Sequence, residues 1–163
     1  MNGLKSLSFL LIALSLLSCN SDKDKKGSTE QVEQIQTEEF EIMGQEITYE
    51  SDSTVLRGYI AHNELIETKR PGIIVVHEWW GHDDFARNKA DELAEMGYVA
   101  LAVDMYGEGK QAEHPEEAMA FSSNVMKNFD TAKKRFMAAV ETLKADENVD
   151  PNQISAIGFC FGG

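Results

Sequence analysis

Apolar and polar residues alternate along two neighbouring stretches in the first half of the chain. The first stretch places Phe40, Ile42, Ile47 and Tyr49 among polar residues, and the second covers residues 55–61. Such alternation is typical of strands with one buried and one solvated face. Because Ser51-Asp52-Ser53 supplies turn residues between them, the pattern predicts an antiparallel hairpin.

Three further apolar runs predict strands deeper in the fold. They are residues 73–76, 98–103 and 154–159. The first is a continuous β-branched run, which is typical of a strand buried on both faces. We expect a turn at residues 69–72 before the first run and another at residues 150–152 before the last.

Three segments with helical spacing separate these strands. The first has an apolar face made of Ala86, Ala90, Leu93 and Ala94. Asp83 or Asp84 can cap its start, and Gly97 ends it. Residues 116–127 form the second predicted helix, and the third follows Asp130 as its cap. The apolar face of the third carries Ala132, Phe136, Ala139, Val140 and Leu143.

The succession of strands and helices predicts an α/β fold, with a mostly parallel sheet and helices on both faces. Reactive groups in such sheets gather at the carboxyl ends of the strands. Two unusual segments occupy those ends: HEWWGH at residues 77–82 and GFCFGG at residues 158–163. We therefore look for chemistry in these two segments.

The first 38 residues differ in character from the rest. Residues 1–18 carry a short apolar core at 7–17, which is too short for a permanent membrane span and predicts a cleavable export signal. The letters LLSC resemble a bacterial lipobox, in which Cys19 is acylated; an ordinary secretory signal with an unrelated cysteine is the alternative. Residues 19–38 are polar and predict a flexible tether. We expect an exported domain at 39–163, anchored by lipid to a bacterial membrane and facing the periplasm or exterior.

The length, net charge and cysteine content of the chain disfavour several classes of function. The 163 residues leave room for one ordinary domain, and the formal net charge of −13 disfavours nucleic acid or an anionic membrane as partners through charge. The only cysteines are Cys19 and Cys160. If Cys19 carries lipid, Cys160 is a free thiol and no structural disulfide forms. A redox role is disfavoured because there is no C-x-x-C pair.

GFCFGG has the form Gly-x-nucleophile-x-Gly. A strand that passes directly into a helix needs a sharp turn, and Gly158 and Gly162 are required where a side chain would collide with neighbouring elements. The turn exposes Cys160 as the nucleophile and points the N–H of Phe161 toward a developing oxyanion. The alternative is a buried cysteine at a glycine-rich strand end.

HEWWGH resembles a zinc-protease motif only superficially. That motif needs two histidines four residues apart on a helix, whereas His77 and His82 lie five apart across a glycine. Five residues turn a helix by about 500°, so the two rings would not share a face. We predict no metal site, and instead a loop that lends the N–H of Trp79 to the oxyanion. Trp79 and Trp80 either line an apolar pocket or simply pack.

These segments together resemble the N-terminal part of the dienelactone hydrolase family, a branch of the α/β-hydrolase fold. The resemblance covers residues 39–163 and also includes the strand end D-M-Y-G at 104–107. It implies hydrolysis of an ester or lactone, as by a carboxymethylenebutenolidase, through an acyl-enzyme on Cys160 and without a cofactor. It also implies that Glu78 helps to generate the thiolate; an ion pair with an arginine is the alternative role for Glu78.

The substrate is predicted less sharply than the reaction. Trp80, Tyr106 and Lys110 are candidates for the pocket. Family members that bind a substrate carboxylate have an arginine shortly after the D-x-Y element, where this chain has Lys110 opposed by Glu108. We expect a small-molecule ester or lactone and identify no protein partner. A lipid-anchored, non-catalytic binding or scaffold protein is the alternative function.

The resemblance further implies an aspartate and then a histidine after the nucleophile. All histidines of this chain precede Cys160: they are His62, His77, His82 and His114. We therefore expect a fold truncated just after the nucleophile, with an open edge on the cysteine strand and a coding sequence that continues past Gly163. We expect the chain by itself to be inactive and poorly folded.

Overall fold

The computed structural model describes residues 40–163, in which five strands form one mixed sheet. The strands are β1 (Ile42–Ser51), β2 (Thr54–Asn63), β3 (Arg70–Val76), β4 (Val99–Val103) and β5 (Val149–Gly158). Their spatial order is β1-β2-β4-β3-β5. β3 pairs in parallel with β4 and β5, whereas β2 pairs antiparallel with β1 and β4. The two segments singled out in the sequence, residues 77–82 and 158–163, lie at the ends of the parallel strands β3 and β5.

The predicted hairpin is confirmed by the pairing of β1 with β2. Ser51 lies opposite Thr54, so only Asp52 and Ser53 form the loop. Both have positive φ, at 46° and 65°. Two successive left-handed residues match the twist of the flanking strands, which is why short polar residues occupy this turn.

Three helices cover the sheet on both faces, as the sequence predicts. They are α1 (Asp84–Glu95), α2 (Pro115–Lys127) and α3 (Phe129–Ala145). β4 shows how the two faces differ: Ala100 and Ala102 belong to the core layer that contains α1, while Leu101 lies in the layer with α2 and α3. Small residues on one face and large residues on the other let α1 lie close to the sheet and leave α3 to bury bulkier side chains.

The ends of α1 follow the signals in the sequence. Asp83, not Asp84, is the N-cap, and its carboxylate accepts a hydrogen bond from the backbone N–H of Ala86 at 3.4 Å. Gly97 follows the helix with φ at +89°. A side chain at Gly97 would meet only Ile66, so conformation rather than space requires glycine here.

Two predicted boundaries are wrong. The turn predicted at 69–72 does not form, because β3 already begins at Arg70, whose N–H donates to the Asn148 carbonyl oxygen at 2.9 Å. This pairing is not evident from the local sequence, because Asn148 lies nearly eighty residues after Arg70. Asp130 does not cap the third helix: α3 begins at Phe129 after Asn128, and Asp130 lies in its first turn.

At residues 150–152, where we predicted a turn before the last strand, β5 instead continues with an irregularity in its pairing. The Asp150 carboxylate accepts hydrogen bonds from the N–H of Asn152 and the side chain of Gln153. The pairing with β3 jumps there, from Pro71 opposite Asp150 to Gly72 opposite Ile154. Among the described strands β5 forms one edge of the sheet, as the truncated fold predicts.

The predicted signal at 1–18, the acylation of Cys19 and the tether at 19–38 lie outside the described residues. Between residues 40 and 163, none of the helices has the length and apolar character needed to cross a membrane.

Candidate active site

Cys160 lies in a sharp turn directly after β5. β5 ends at Gly158, and a single 3₁₀ turn spans Cys160–Gly162. Cys160 has φ at +52°, in the left-handed region that L side chains rarely adopt, which costs about 1–2 kcal/mol. The N–H of Phe159 donates to the Val76 carbonyl oxygen at 3.2 Å, so the turn is attached to the end of β3. The thiol is exposed, as the turn predicts, and it forms no disulfide among residues 40–163.

The two glycines of the turn are required by close backbone approach. A Cβ on Gly158 would overlap the carbonyl group of Gly162, so the turn can close on itself only without that atom. A Cβ on Gly162 would lie 2.7 Å from the Val76 carbonyl oxygen and 2.9 Å from that of His77. The predicted collision with a neighbouring element is found for Gly162, where the Val76 side chain is as close as the backbone, whereas at Gly158 the obstacle is the turn itself.

The thiol opens into a groove of about 380 Å³ beside α2. Its lining consists of Trp79, Ser122, Ser123, Met126, Lys127, Cys160 and Phe161. Trp79 and Phe161 thus meet Cys160 in one place. The four α2 residues were missed by the sequence analysis. Their spacing puts them on one face of the helix, but nothing in the sequence indicates that this face turns toward Cys160.

The loop that carries Trp79 is held by the buried ring of His77. His77 Nδ1 donates to the Glu78 carbonyl oxygen at 2.5 Å, and Nε2 accepts from the N–H of Met105 at 3.2 Å. These partners require the neutral ring with its proton on Nδ1. Burial lowers the pKa of His77, which favours the same neutral form. His77 therefore links the ends of β3 and β4.

Asp104 organises the end of β4 and was recognised in the sequence only as part of D-M-Y-G. Its side chain is fully buried. Its Oδ1 accepts from the N–H groups of Tyr106 at 3.0 Å and Gly107 at 2.6 Å, and its Oδ2 from those of Arg57 at 3.2 Å and Gly109 at 2.7 Å. Four backbone donors around one carboxylate fix the loop that follows β4.

Tyr106 holds the loop that carries Trp79. Its hydroxyl donates to the Trp79 carbonyl oxygen at 2.8 Å, and its ring contacts the rings of His77 and Phe161 at centroid distances of 4.7 and 5.7 Å. Burial, with a smaller contribution from the charge of Cys160, raises the pKa of Tyr106 to about 12. Tyr106 is therefore a neutral phenol at physiological pH.

The other predicted pocket residues lie outside the Cys160 groove. Trp80 packs edge-on against Trp79 at 5.2 Å. Lys110 is exposed, and its Nζ forms a salt bridge with the Glu108 carboxylate at 2.8 Å. This agrees with the prediction that Glu108 opposes the charge of Lys110. Lys110 and Tyr106 line a separate groove beside α2.

Among residues 40–163, the Glu78 carboxylate and the backbone N–H groups of the two predicted oxyanion donors make no hydrogen bond. The Glu78 carboxylate is half-buried and does not line the Cys160 groove. Within the described part of the chain it makes no ion pair, so the alternative of an arginine partner finds no support there. Neither Trp79 nor Phe161 donates its backbone N–H to another group among residues 40–163.

The sequence matches a known protein family. The family model described as the dienelactone hydrolase family matches residues 56–163. Over 125 residues the chain is 37% identical to Protein usf of Aquifex pyrophilus, an alignment that covers 74% of this chain and 52% of that protein. It is 34% identical, with the same coverage, to a protein of Aquifex aeolicus (strain VF5) named "Putative carboxymethylenebutenolidase".

Solved structures agree with the sequence relatives. The structure named m3DLH has a TM-score of 0.71 and 34% sequence identity, and the match covers 74% of this chain and 50% of that one. The chain therefore spans about half the length of the relatives that it matches. The α/β-hydrolase fold predicted from the sequence is confirmed for the part described.

Proposed function

Because the chain belongs to the dienelactone hydrolase family, we propose that it carries the nucleophile of an ester or lactone hydrolase and that Cys160 is that nucleophile. One observation carries the proposal: an exposed thiol is held at a φ of +52° at the carboxyl end of β5, where it opens into a groove. Strained non-glycine residues at such positions are typical of functional sites.

The reaction takes two steps. The Cys160 thiolate attacks the substrate carbonyl carbon, a C–S bond forms, and the C–O bond to the alcohol breaks as the leaving oxygen takes a proton. Water then attacks the resulting thioester, the C–S bond breaks, and the acid and the thiolate are released. Both steps pass through a tetrahedral oxyanion.

The N–H groups of Phe161 and Trp79 are proposed to stabilise that oxyanion. Both residues line the groove that contains Cys160, and both N–H groups lack a protein acceptor among the residues described. His77 and Tyr106 hold the loop on which Trp79 lies, so its donor is positioned before substrate arrives. Donors positioned in this way are a major source of rate enhancement in acyl transfer.

Glu78 does not line the Cys160 groove in the free protein, and we propose, as the family resemblance implies, that it accepts the thiol proton when substrate arrives. Its carboxylate is half-buried and free of an ion pair in the described residues, so it can take up a proton without losing a partner. Tyr106 is a poor alternative base, because a phenol whose pKa is about 12 stays protonated at neutral pH. The chain spans about half of its relatives' length. Statements about the substrate range and the complete set of catalytic groups therefore concern the whole protein and are made as proposals.

The test measures acyl transfer to Cys160, because thioester formation needs only the thiolate and the oxyanion donors. The full chain is mixed with p-nitrophenyl acetate, and acetylation of the peptide that contains residue 160 is followed by mass spectrometry. We expect a single acylation of Cys160 at least about 10²-fold faster than that of free N-acetylcysteine at the same pH, without the sustained turnover that requires the aspartate and histidine implied by the resemblance.

The chain offers a matched pair of variants for this test. Cys160→Ser should abolish the fast phase, and Cys19→Ser, which removes the other cysteine, should retain it. If Cys160 reacts no faster than the free thiol, the nucleophile assignment is wrong and the alternative of a non-catalytic scaffold with a hydrolase shape is favoured.

We also propose that the protein is exported and anchored by lipid on Cys19. The support is sequence alone, namely a short apolar core that ends on LLSC. Cells that express the chain are grown with an alkyne-tagged fatty acid, and the protein is examined for the tag. Cys160→Ser should keep the label and Cys19→Ser should lose it; a label that survives Cys19→Ser refutes the anchor.

A further inference from the structure

Arg135 on α3 contacts the loop that follows β4. Its Nη1 donates a hydrogen bond to the Met105 carbonyl oxygen at 2.7 Å. The guanidinium also lies against the backbone of Gly107, because a Cβ on that residue would be 3.2 Å from Nη2 and 3.4 Å from Cζ. One side chain of α3 therefore holds this loop at two points.

The charge of Arg135 is directed at backbone and not at a carboxylate. Within the part of the chain that the structure describes, Arg135 makes no ion pair, and its Nε is buried without a hydrogen-bond partner. Glu108, in the same loop, forms its salt bridge with Lys110 instead. A hydrogen bond from a guanidinium to a carbonyl oxygen is charge-assisted and stronger than one between neutral groups. This contact therefore points to a role in placing the backbone of the loop.

The peptide group between Met105 and Tyr106 connects Arg135 to the Asp104 carboxylate. Its carbonyl oxygen accepts from Arg135, and its N–H, which is that of Tyr106, donates to Asp104 Oδ1 at 3.0 Å. The C=O and N–H of a trans peptide point in opposite directions, so the two charged groups lie on opposite sides of it. A cation at the carbonyl oxygen and an anion at the N–H polarise the peptide in the same sense, and each strengthens the other's hydrogen bond.

Asp104 has no closer counter-charge among residues 40–163. Its side chain is fully buried, and it forms no salt bridge with any of them. The ring of His77 does not supply the charge, because burial lowers the pKa of His77 and keeps the ring neutral. Buried charges are tolerated when they are hydrogen-bonded and electrostatically balanced. Four backbone donors provide the hydrogen bonds, and Arg135 provides a positive charge across a single peptide group.

The segment that Arg135 holds also supports the loop that carries Trp79. The Met105 N–H donates to His77 Nε2 at 3.2 Å, and the Tyr106 hydroxyl donates to the Trp79 carbonyl oxygen at 2.8 Å. A displacement of residues 105–106 would move both supports together. Arg135 itself does not line the Cys160 groove, so any effect on the thiol passes through this backbone.

We propose that Arg135 is a positioning residue that balances the Asp104 charge across one peptide group. By fixing that peptide, Arg135 holds Trp79 where its N–H meets the oxyanion. The effect of Arg135 on the loop stands on its contacts alone. Its effect on acylation rests on the proposed function of Cys160.

The effect on the loop is tested by NMR of the full chain labelled with ¹⁵N at tyrosine, which gives one amide signal for each of the four tyrosines. The Tyr106 amide is assigned by its loss in Tyr106→Phe. Arg135→Met removes the charge and the donors, and we expect it to shift the Tyr106 amide proton upfield, because the hydrogen bond to Asp104 is no longer polarised by a cation. Lys133→Met removes the same charge from an exposed position of α3 and should leave this signal unchanged.

Two conservative variants separate the charge of Arg135 from its packing. Arg135→Lys keeps a cation beside the carbonyl oxygen and should retain most of the wild-type shift. Arg135→Gln keeps a neutral donor and should lose most of it. This comparison also decides the matter if Arg135→Met does not fold, since equal Tyr106 signals in the Lys and Gln variants would overturn the proposal.

The effect on acylation is measured as the single acylation of Cys160 by p-nitrophenyl acetate, at a temperature where circular dichroism shows each variant folded. Arg135→Met should slow it about tenfold, because an oxyanion donor that is displaced stabilises less well. Arg135→Lys should recover most of the rate, and Lys133→Met should match the wild type. If the wild type itself is no faster than N-acetylcysteine, the hydrolase proposal fails, and the Tyr106 signal still decides the role of Arg135. The proposal is overturned if Arg135→Met moves that signal no more than Lys133→Met does, or if a fast wild-type acylation is unchanged in Arg135→Met.

Discussion

Asp104→Asn is the substitution for which the structure makes the sharpest prediction. The two carboxylate oxygens of Asp104 each accept two backbone N–H groups, at distances between 2.6 and 3.2 Å. An asparagine keeps one of these acceptors and replaces the other with an NH₂ group. Whichever way the amide turns, two backbone donors then face a donor instead of an acceptor.

The magnitude follows from the two hydrogen bonds that the amide cannot accept. Hydrogen bonds to charged groups contribute about 1.5–3 kcal/mol each, so the absence of two predicts a decrease of about 3–6 kcal/mol in the free energy of unfolding. The side chain is fully buried, so water cannot replace the missing acceptor without rearrangement. Domains of this size have total stabilities of about 5–15 kcal/mol, so the variant should be close to unfolding.

Urea unfolding, followed by tryptophan fluorescence and circular dichroism, measures this change. Asp91→Asn is the matched control: Asp91 accepts one hydrogen bond, from the Tyr59 hydroxyl at 2.9 Å, and an amide oxygen can still accept it. We expect the control to lose less than about 1 kcal/mol. Equal decreases for the two variants would show that the Asp104 carboxylate does not hold the loop after β4.

Three further predictions concern the same region. Gly162→Ala should cost about 1–3 kcal/mol in urea unfolding and slow the acylation of Cys160, because the new Cβ meets the backbone of β3; unchanged acylation would contradict this. Tyr106→Phe should lower stability by about 1 kcal/mol and speed amide exchange in the loop, since its hydroxyl no longer holds the Trp79 carbonyl oxygen; equal exchange rates would refute it. Burial lowers the pKa values of His77 and His82, so the unfolded chain takes up protons first as the pH falls below about 6.5, and stability should decrease from pH 7 to pH 5. His82→Leu should reduce that slope in urea midpoints taken at each pH, and an unchanged slope would count against it.

Local features of the fold were predictable because short-range chemistry decides them. Asp83 caps α1, Gly97 ends it, and two polar residues at 52–53 close the hairpin, each through interactions within a few residues. The boundaries that were predicted wrongly depend on distant partners. β3 starts at Arg70 because Asn148 and Val149 pair with it, and no local pattern near residue 70 reports that pairing.

The candidate site likewise has one part that the local sequence predicts and another that depends on distant partners. The strained turn at Cys160 and the need for Gly158 and Gly162 follow from a five-residue pattern. The face of α2 that lines the groove does not, because it depends on how a helix some forty residues earlier packs against α3. The contact between Arg135 and the Met105 carbonyl oxygen was missed for the same reason, since the two residues lie 30 positions apart in the chain.

The amino-acid sequence by itself determined the elements of this protein, the sharp turn that exposes its thiol, and the family to which the chain belongs. Only the tertiary structure decided which groups meet: four backbone donors around Asp104, Tyr106 beneath Trp79, and the Arg135 guanidinium on the loop after β4. The physical reason is the distance along the chain between the residues that interact. Turns and caps are stabilised within a few residues of chain, whereas a site is an arrangement of segments whose proximity depends on the packing of the whole sheet.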